Sequence, residues 1–135
     1  MNIVGKWSLD PLVPDHQDMV FVFLPDGRGV LEIYNWSLGW YETFNYIVQD
    51  NSISIVGDRR YEDNLQTKEI EETPSQIRYD GKILITHGVD ASDKQIDILE
   101  FEQPPIPSCF HEKRFGRIVF DVSLYRKPSF EEWRK

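Results

Sequence analysis

Short runs of apolar residues at every second position, cut by turn-forming residues, constrain this chain more than any other feature. Side chains of a strand point alternately to two faces, so this rhythm suits strands and leaves little room for helices. Residues 19–24 are almost wholly apolar, Pro25-Asp26-Gly27 follows, and 29–36 resumes with Val, Leu, Ile and Tyr, which reads as a hairpin. Residues 42–48 place Phe44, Tyr46 and Val48 on one face, and Gln49-Asp50-Asn51 turns them into 52–56 as a second hairpin. Asp80-Gly81, between 77–79 and 82–86, reads as the strongest turn, because Asp-Gly supplies the positive φ of a tight primed turn. Residues 96–102 and 117–125 follow, the latter with Ile118, Phe120, Val122 and Leu124 on the expected core face. With 3–9 as the first, the pattern predicts about eight short strands. The charged stretch 58–75 fits a loop, an edge strand or a short helix equally.

The expected fold is therefore all-β, an antiparallel up-and-down barrel formed by residues 1–135 as one domain. A short C-terminal helix is expected at Pro128-Ser129-Phe130-Glu131-Glu132, where Ser129 and Glu132 form a capping box and Phe130 and Trp133 share a face.

Composition narrows the function classes. The net charge of -8, without a stripe of Lys or Arg, argues against nucleic acid and anionic membranes as partners. The single cysteine, Cys109, excludes an internal disulfide and fits a reducing compartment, so a cytoplasmic location is expected. No basic start followed by a long apolar run is present after Met1, so no signal peptide or anchor is expected.

Gly5-Lys6-Trp7, opening the first strand of such a chain, resembles the Gly-x-Trp signature of the calycin superfamily, the lipocalins and fatty-acid-binding proteins. The resemblance implies a lipocalin-like barrel, with Trp7 closing one end beneath a basic side chain from the end of the last strand. Arg126, after Leu124-Tyr125, is the matching candidate. A cation over an indole face contributes roughly 0.5–2 kcal/mol. The chain departs from the superfamily in lacking the Thr-Asp-Tyr turn motif, and residues 10–18 are too short for a helix-turn-helix lid. A bacterial-style lipocalin-like domain fits best, and a shared fold of this kind does not define the ligand.

Candidate chemistry is sparse. His16, His87 and His111 are far apart, so neither a metal site nor a cofactor is indicated. Cys109 and His111 lie two residues apart, but a catalytic pair also needs a positioned nucleophile and an oxyanion site, so no catalytic residue is assigned. Residues 104–110, rich in proline, either cover a barrel mouth or merely cross its end as a surface loop. Residues 34–41 hold the densest aromatic cluster, which fits core filling, one wall of a pocket or a protein contact. Among the carboxylates of apolar strands, Glu32, Glu42, Glu100 and Glu102, the first two are the inward candidates, with Arg78, Arg114 and Arg117 as counter-charges.

Two functional classes follow. The first is a binding module whose cavity holds a small, partly apolar ligand, lined by Phe21, Phe23, Tyr34, Trp36, Trp40, Phe44, Tyr46, Phe101 and Phe120. The second is a non-enzymatic interaction or inhibitor domain with a packed core, acting on a protein partner or a second copy through its acidic surface or aromatic loop. No motif supports an enzyme. A contiguous void of about 300 Å³ or more would favour the first class.

Overall fold

The computed structural model describes residues 2–14, 17–106 and 111–130. These form nine antiparallel strands: β1 (Gly5–Ser8), β2 (Gln17–Phe23), β3 (Arg28–Asn35), β4 (Ser37–Gln49), β5 (Ser52–Asp63), β6 (Ile70–Pro74), β7 (Arg78–Val89), β8 (Gln95–Phe101) and β9 (Arg114–Ile118). Eight of them close in a ring, β1-β2-β3-β4-β5-β7-β8-β9, sealed where β1 pairs with β9. The ninth, β6, pairs with residues 59–63 of β5, while β7 takes residues 52–56 of the same strand. The undecided stretch 58–75 thus holds the second half of β5 and an appended strand.

Turn chemistry explains the hairpins that match expectation and the one that does not. Gly27 turns β2 into β3 with a φ of 84°, and Asp50 turns β4 into β5 with a φ of 55°. At Asp80-Gly81 the expected turn is absent and β7 runs straight through, paired with Ser54 and Ile53 of β5. The Tyr79 ring lies over the bare face of Gly81, and its hydroxyl donates to the Lys82 carbonyl at 3.1 Å. Glycine here makes room for a ring in an extended strand. The aromatic stretch 34–41 is mostly strand as well, with Trp36 alone reversing the chain at a φ of 66°.

The interior is aromatic. Trp7, Phe21, Phe23, Phe44, Phe101 and Phe115 are fully buried on the inner face. Phe21 sits among Phe23, Phe44, Phe101 and Phe115 at centroid distances of 5.7, 6.1, 5.6 and 5.2 Å. Stacked, tilted and edge-to-face pairs together fill such an interior as densely as an organic crystal. Phe44 touches Phe23 and Tyr46 at 5.5 and 6.3 Å as well. Phe44→Trp should therefore lower stability by roughly 1–3 kcal/mol through overpacking, measured by chemical denaturation.

The chain's last segment departs most from expectation. The last strand ends at Ile118, and its inward residues are Phe115 and Arg117; Phe120 and Leu124 are exposed. From residue 119 the chain leaves the ring and straps its outside. Phe120 lies beneath the Lys6 ammonium, Tyr125 donates to Glu32 at 2.6 Å, and Phe130 stacks on Tyr41 at 5.7 Å. Val20, Val22, Val30 and Glu32, on the outer face of β2 and β3, are consequently buried too. Among the described residues the only helical element here is a single 3-10 turn, Val122–Leu124. The rest of the expected C-terminal helix, from Glu131 through Trp133, lies outside the described residues.

Trp7 is fully buried and donates its indole N–H to the Ile3 carbonyl at 2.8 Å. The cation above it is Arg117, 4.2 Å from the ring centroid, and not Arg126, which is exposed beyond the last strand. Arg117 faces Trp7 directly across the β1–β9 pair, so strand pairing alone brings them together. Its guanidinium also donates to the carbonyls of Asn2 and Val4 and to Asp97.

Candidate functional site

The inner face of β3, β4 and β5 carries Leu31, Ile33, Trp40, Glu42 and Arg60 in neighbouring register positions. Here β6 diverges from β7, and the break at 75–77 is tied to β5 by bonds from Gly57 N–H to the Ile77 carbonyl and from Ser75 N–H to the Asp58 carbonyl. With no side chain at Gly57, Ser75 comes close enough for its hydroxyl to donate to Glu42 Oε1 at 2.9 Å. The result is a cavity of about 350 Å³ at a mouth of the ring, with Leu31, Ile33 and Ile77 as apolar lining and Trp40 as an aromatic wall. Pro105 and Ile106, both buried, complete it, so the described part of the proline-rich connection lies at the mouth. Residues 107–110, with Cys109, lie outside the described residues.

The cavity is also charged at its edge. Glu42 is buried, and its second carboxylate oxygen accepts from the Trp40 indole N–H at 3.0 Å. Arg60, its partner in register, lies over the Trp40 ring at 4.5 Å from the centroid and reaches Glu62 at 3.4 Å. Gln76 and Arg78 border the same space, the latter paired with Asp80 at 3.0 Å.

Of the residues expected to line a cavity, Phe21, Phe23, Phe44, Tyr46 and Phe101 are brought together, but as the packed interior. Trp40 is the one that borders the mouth. Tyr34 is on the outer face, its hydroxyl on Glu32 Oε1 at 2.9 Å; Trp36 is 80% exposed at the β3–β4 turn; Phe120 is outside the ring. Glu32 was an inward candidate, but its face with Val30 and Tyr34 is the outer one, and Glu42 alone points inward. Neither uses the expected arginines. Hydroxyls of Tyr34 and Tyr125 satisfy Glu32, an indole and a serine satisfy Glu42, while Arg114 pairs with Glu100 and Arg117 with Asp97. Leu31, Ile33, Arg60 and Ile77 were missed, whereas Ile106 belongs to the proline-rich connection weighed as a cover of the mouth. Only the apolar alternation of 31 and 33 could have signalled the missed residues.

A second cleft, about 410 Å³ and more polar, lies on the outer face beside Asp18, Glu32, Tyr34 and Trp36. Asp18 accepts from the Ser8 hydroxyl and the Leu9 and Asp10 N–H groups. Burial nevertheless dominates and raises its carboxyl above the usual range. The folded protein then holds this proton more tightly than the unfolded chain, so the associated stability is present at low pH and lost as pH rises through the raised value. A carbon-13 titration of Asp18 should show a midpoint above about 3.9, the free aspartate value.

Tyr125 beside Glu32 is likewise pushed far above the tyrosine range by burial and by the neighbouring carboxylate. His87 holds Asp97 at 2.8 Å on the surface. Among the described residues no group of three or more His, Cys, Asp or Glu side chains could hold a metal ion, and no helix is long and apolar enough to cross a membrane. Compared with known proteins, the chain matches no family model, no curated sequence and no solved structure.

Proposed function

We propose that this protein is a non-enzymatic binding module, a calycin-like barrel that holds a small, partly apolar molecule at the mouth of the ring. The observation that carries this reading is the apolar cavity of about 350 Å³ beside Trp40, next to an interior already occupied by phenylalanines. Cavities of roughly 300 Å³ and above accommodate small ligands. The Trp7 and Arg117 pair, held between first and last strands, supports the calycin-like reading. The single cysteine supports a cytoplasmic setting.

N-phenyl-1-naphthylamine, a neutral apolar fluorophore, should bind saturably to the native protein. Ile33→Trp, which adds bulk at the lining, should abolish that binding while circular dichroism stays unchanged. Absence of saturable binding to the wild type overturns the reading. The interaction-domain reading then stands instead, favoured by Trp36, whose large ring is exposed on a turn backbone unfavourable for it. Its test is whether Trp36→Ser changes self-association in sedimentation.

A further inference from the structure

We propose that the molecule held at the mouth is an organic anion, with an apolar body against Trp40 and Ile106 and one carboxylate or sulfonate taken by Arg60. The inference rests on the mouth being the binding site. Two observations favour an anion over a cation or a neutral molecule.

The first is the state of Glu42. Both its oxygens already accept hydrogen bonds, from Trp40 at 3.0 Å and Ser75 at 2.9 Å, so the one buried carboxylate of the cavity is satisfied without a ligand. A cationic ligand would have to share those two oxygens with Trp40 and Ser75. Nor does Glu42 consume Arg60, since among the described residues the ion pair of Arg60 is with Glu62.

The second is the geometry of Arg60. Its guanidinium carbon lies 4.5 Å from the Trp40 ring centroid, and among the described residues its one ion pair uses a single nitrogen, 3.4 Å from a half-exposed carboxylate. A guanidinium carries five N–H donors in a rigid fork that matches a carboxylate or sulfonate. Among the described residues most of that fork has no partner, and a partly exposed pair such as this one is weak enough for a ligand to displace. Arg78 borders the same space, but its charge is offset by Asp80, 3.0 Å away.

The net charge of -8 opposes anion binding, so the preference has to come from Arg60 itself.

Two fluorophores with one aromatic skeleton separate the claims: N-phenyl-1-naphthylamine, which is neutral, and 8-anilinonaphthalene-1-sulfonate, which carries a sulfonate. The wild type should bind the sulfonate more tightly. Arg60→Gln should weaken the sulfonate about tenfold more than it weakens the neutral probe, the loss expected for one charge-assisted hydrogen bond. Arg60→Lys, which keeps the charge without the fork, should fall between. Equal affinities for both probes in the wild type, or a sulfonate affinity unchanged by Arg60→Gln, overturns the anion proposal while neutral binding keeps the binding reading. Parallel loss of both probes in Arg60→Gln also overturns it, since Arg60 would then act only by shaping the wall. Failure of both probes on the wild type overturns the two readings together.

Discussion

Phe21→Ala is expected to lower the free energy of unfolding by about 3–5 kcal/mol, the range for truncating a buried phenylalanine. Phe21 is the hub of the interior, in contact with Phe23, Phe44, Phe101 and Phe115, which belong to four different strands. Its neighbours are rigid rings, so they cannot collapse into the space left behind, and the cavity cost adds to the lost transfer energy. A typical domain is stable by about 5–15 kcal/mol, so this one change removes a large share. Phe120→Ala is the control. Because Phe120 is exposed outside the ring, its truncation should cost under about 1 kcal/mol. Equal midpoint shifts for the two variants in guanidinium denaturation would contradict the assignment of inner and outer faces.

Gly5→Val should be the second large effect, and it acts twice. Gly5 has a φ of 144°, a backbone region that costs an ordinary residue about 1–3 kcal/mol. A Cβ there would also lie 2.8 Å from an Arg117 guanidinium nitrogen, driving the cation off Trp7. Loss of the cation–ring contact adds roughly 0.5–2 kcal/mol. The two parts separate in a double-mutant cycle with Arg117→Ala, which removes the clash and leaves the backbone strain. The cycle should show a coupling of about 0.5–3 kcal/mol; additive effects would mean that Gly5 is needed for its φ alone. The Gly-x-Trp triplet thus has a local physical meaning: glycine admits the arginine that covers the tryptophan.

Much of the ring was legible because hairpin signals are local. Pro25-Asp26-Gly27 and Gln49-Asp50-Asn51 both turn the chain where their residues suggest. Asp80-Gly81 carries the strongest signal of all and does not turn, since β5 pairs across it and Tyr79 needs the bare glycine face. That competition is long-range and leaves no mark in a dipeptide. The unbroken apolar run Met19, Val20, Phe21, Val22, Phe23 did carry information: strands without alternation are covered on both faces. The cover is the C-terminal strap, whose own alternation at Phe120, Val122 and Leu124 imitated a final strand. The true final strand, Arg114–Ile118, is hidden by three arginine and glycine positions among five. The mouth was least legible. Arg60 came from the undecided stretch, Ile77 from a supposed hairpin and Ile106 from a loop, and only closure of the ring brings them together.

Closure also fixes the order in which this chain can mature. The Arg117 bond to the Val4 carbonyl spans 113 positions, and the whole β1–β9 seam is comparably distant in sequence. Hairpins such as β2–β3 and β4–β5 can form within microseconds, but the seam must wait for a loop of almost the entire chain to close. During synthesis β1 therefore emerges early and keeps a bare edge until β9 follows, and the strap can dock only on a sheet already assembled. An intermediate with that edge exposed is the natural point for strand exchange between two nascent copies or for capture by a chaperone.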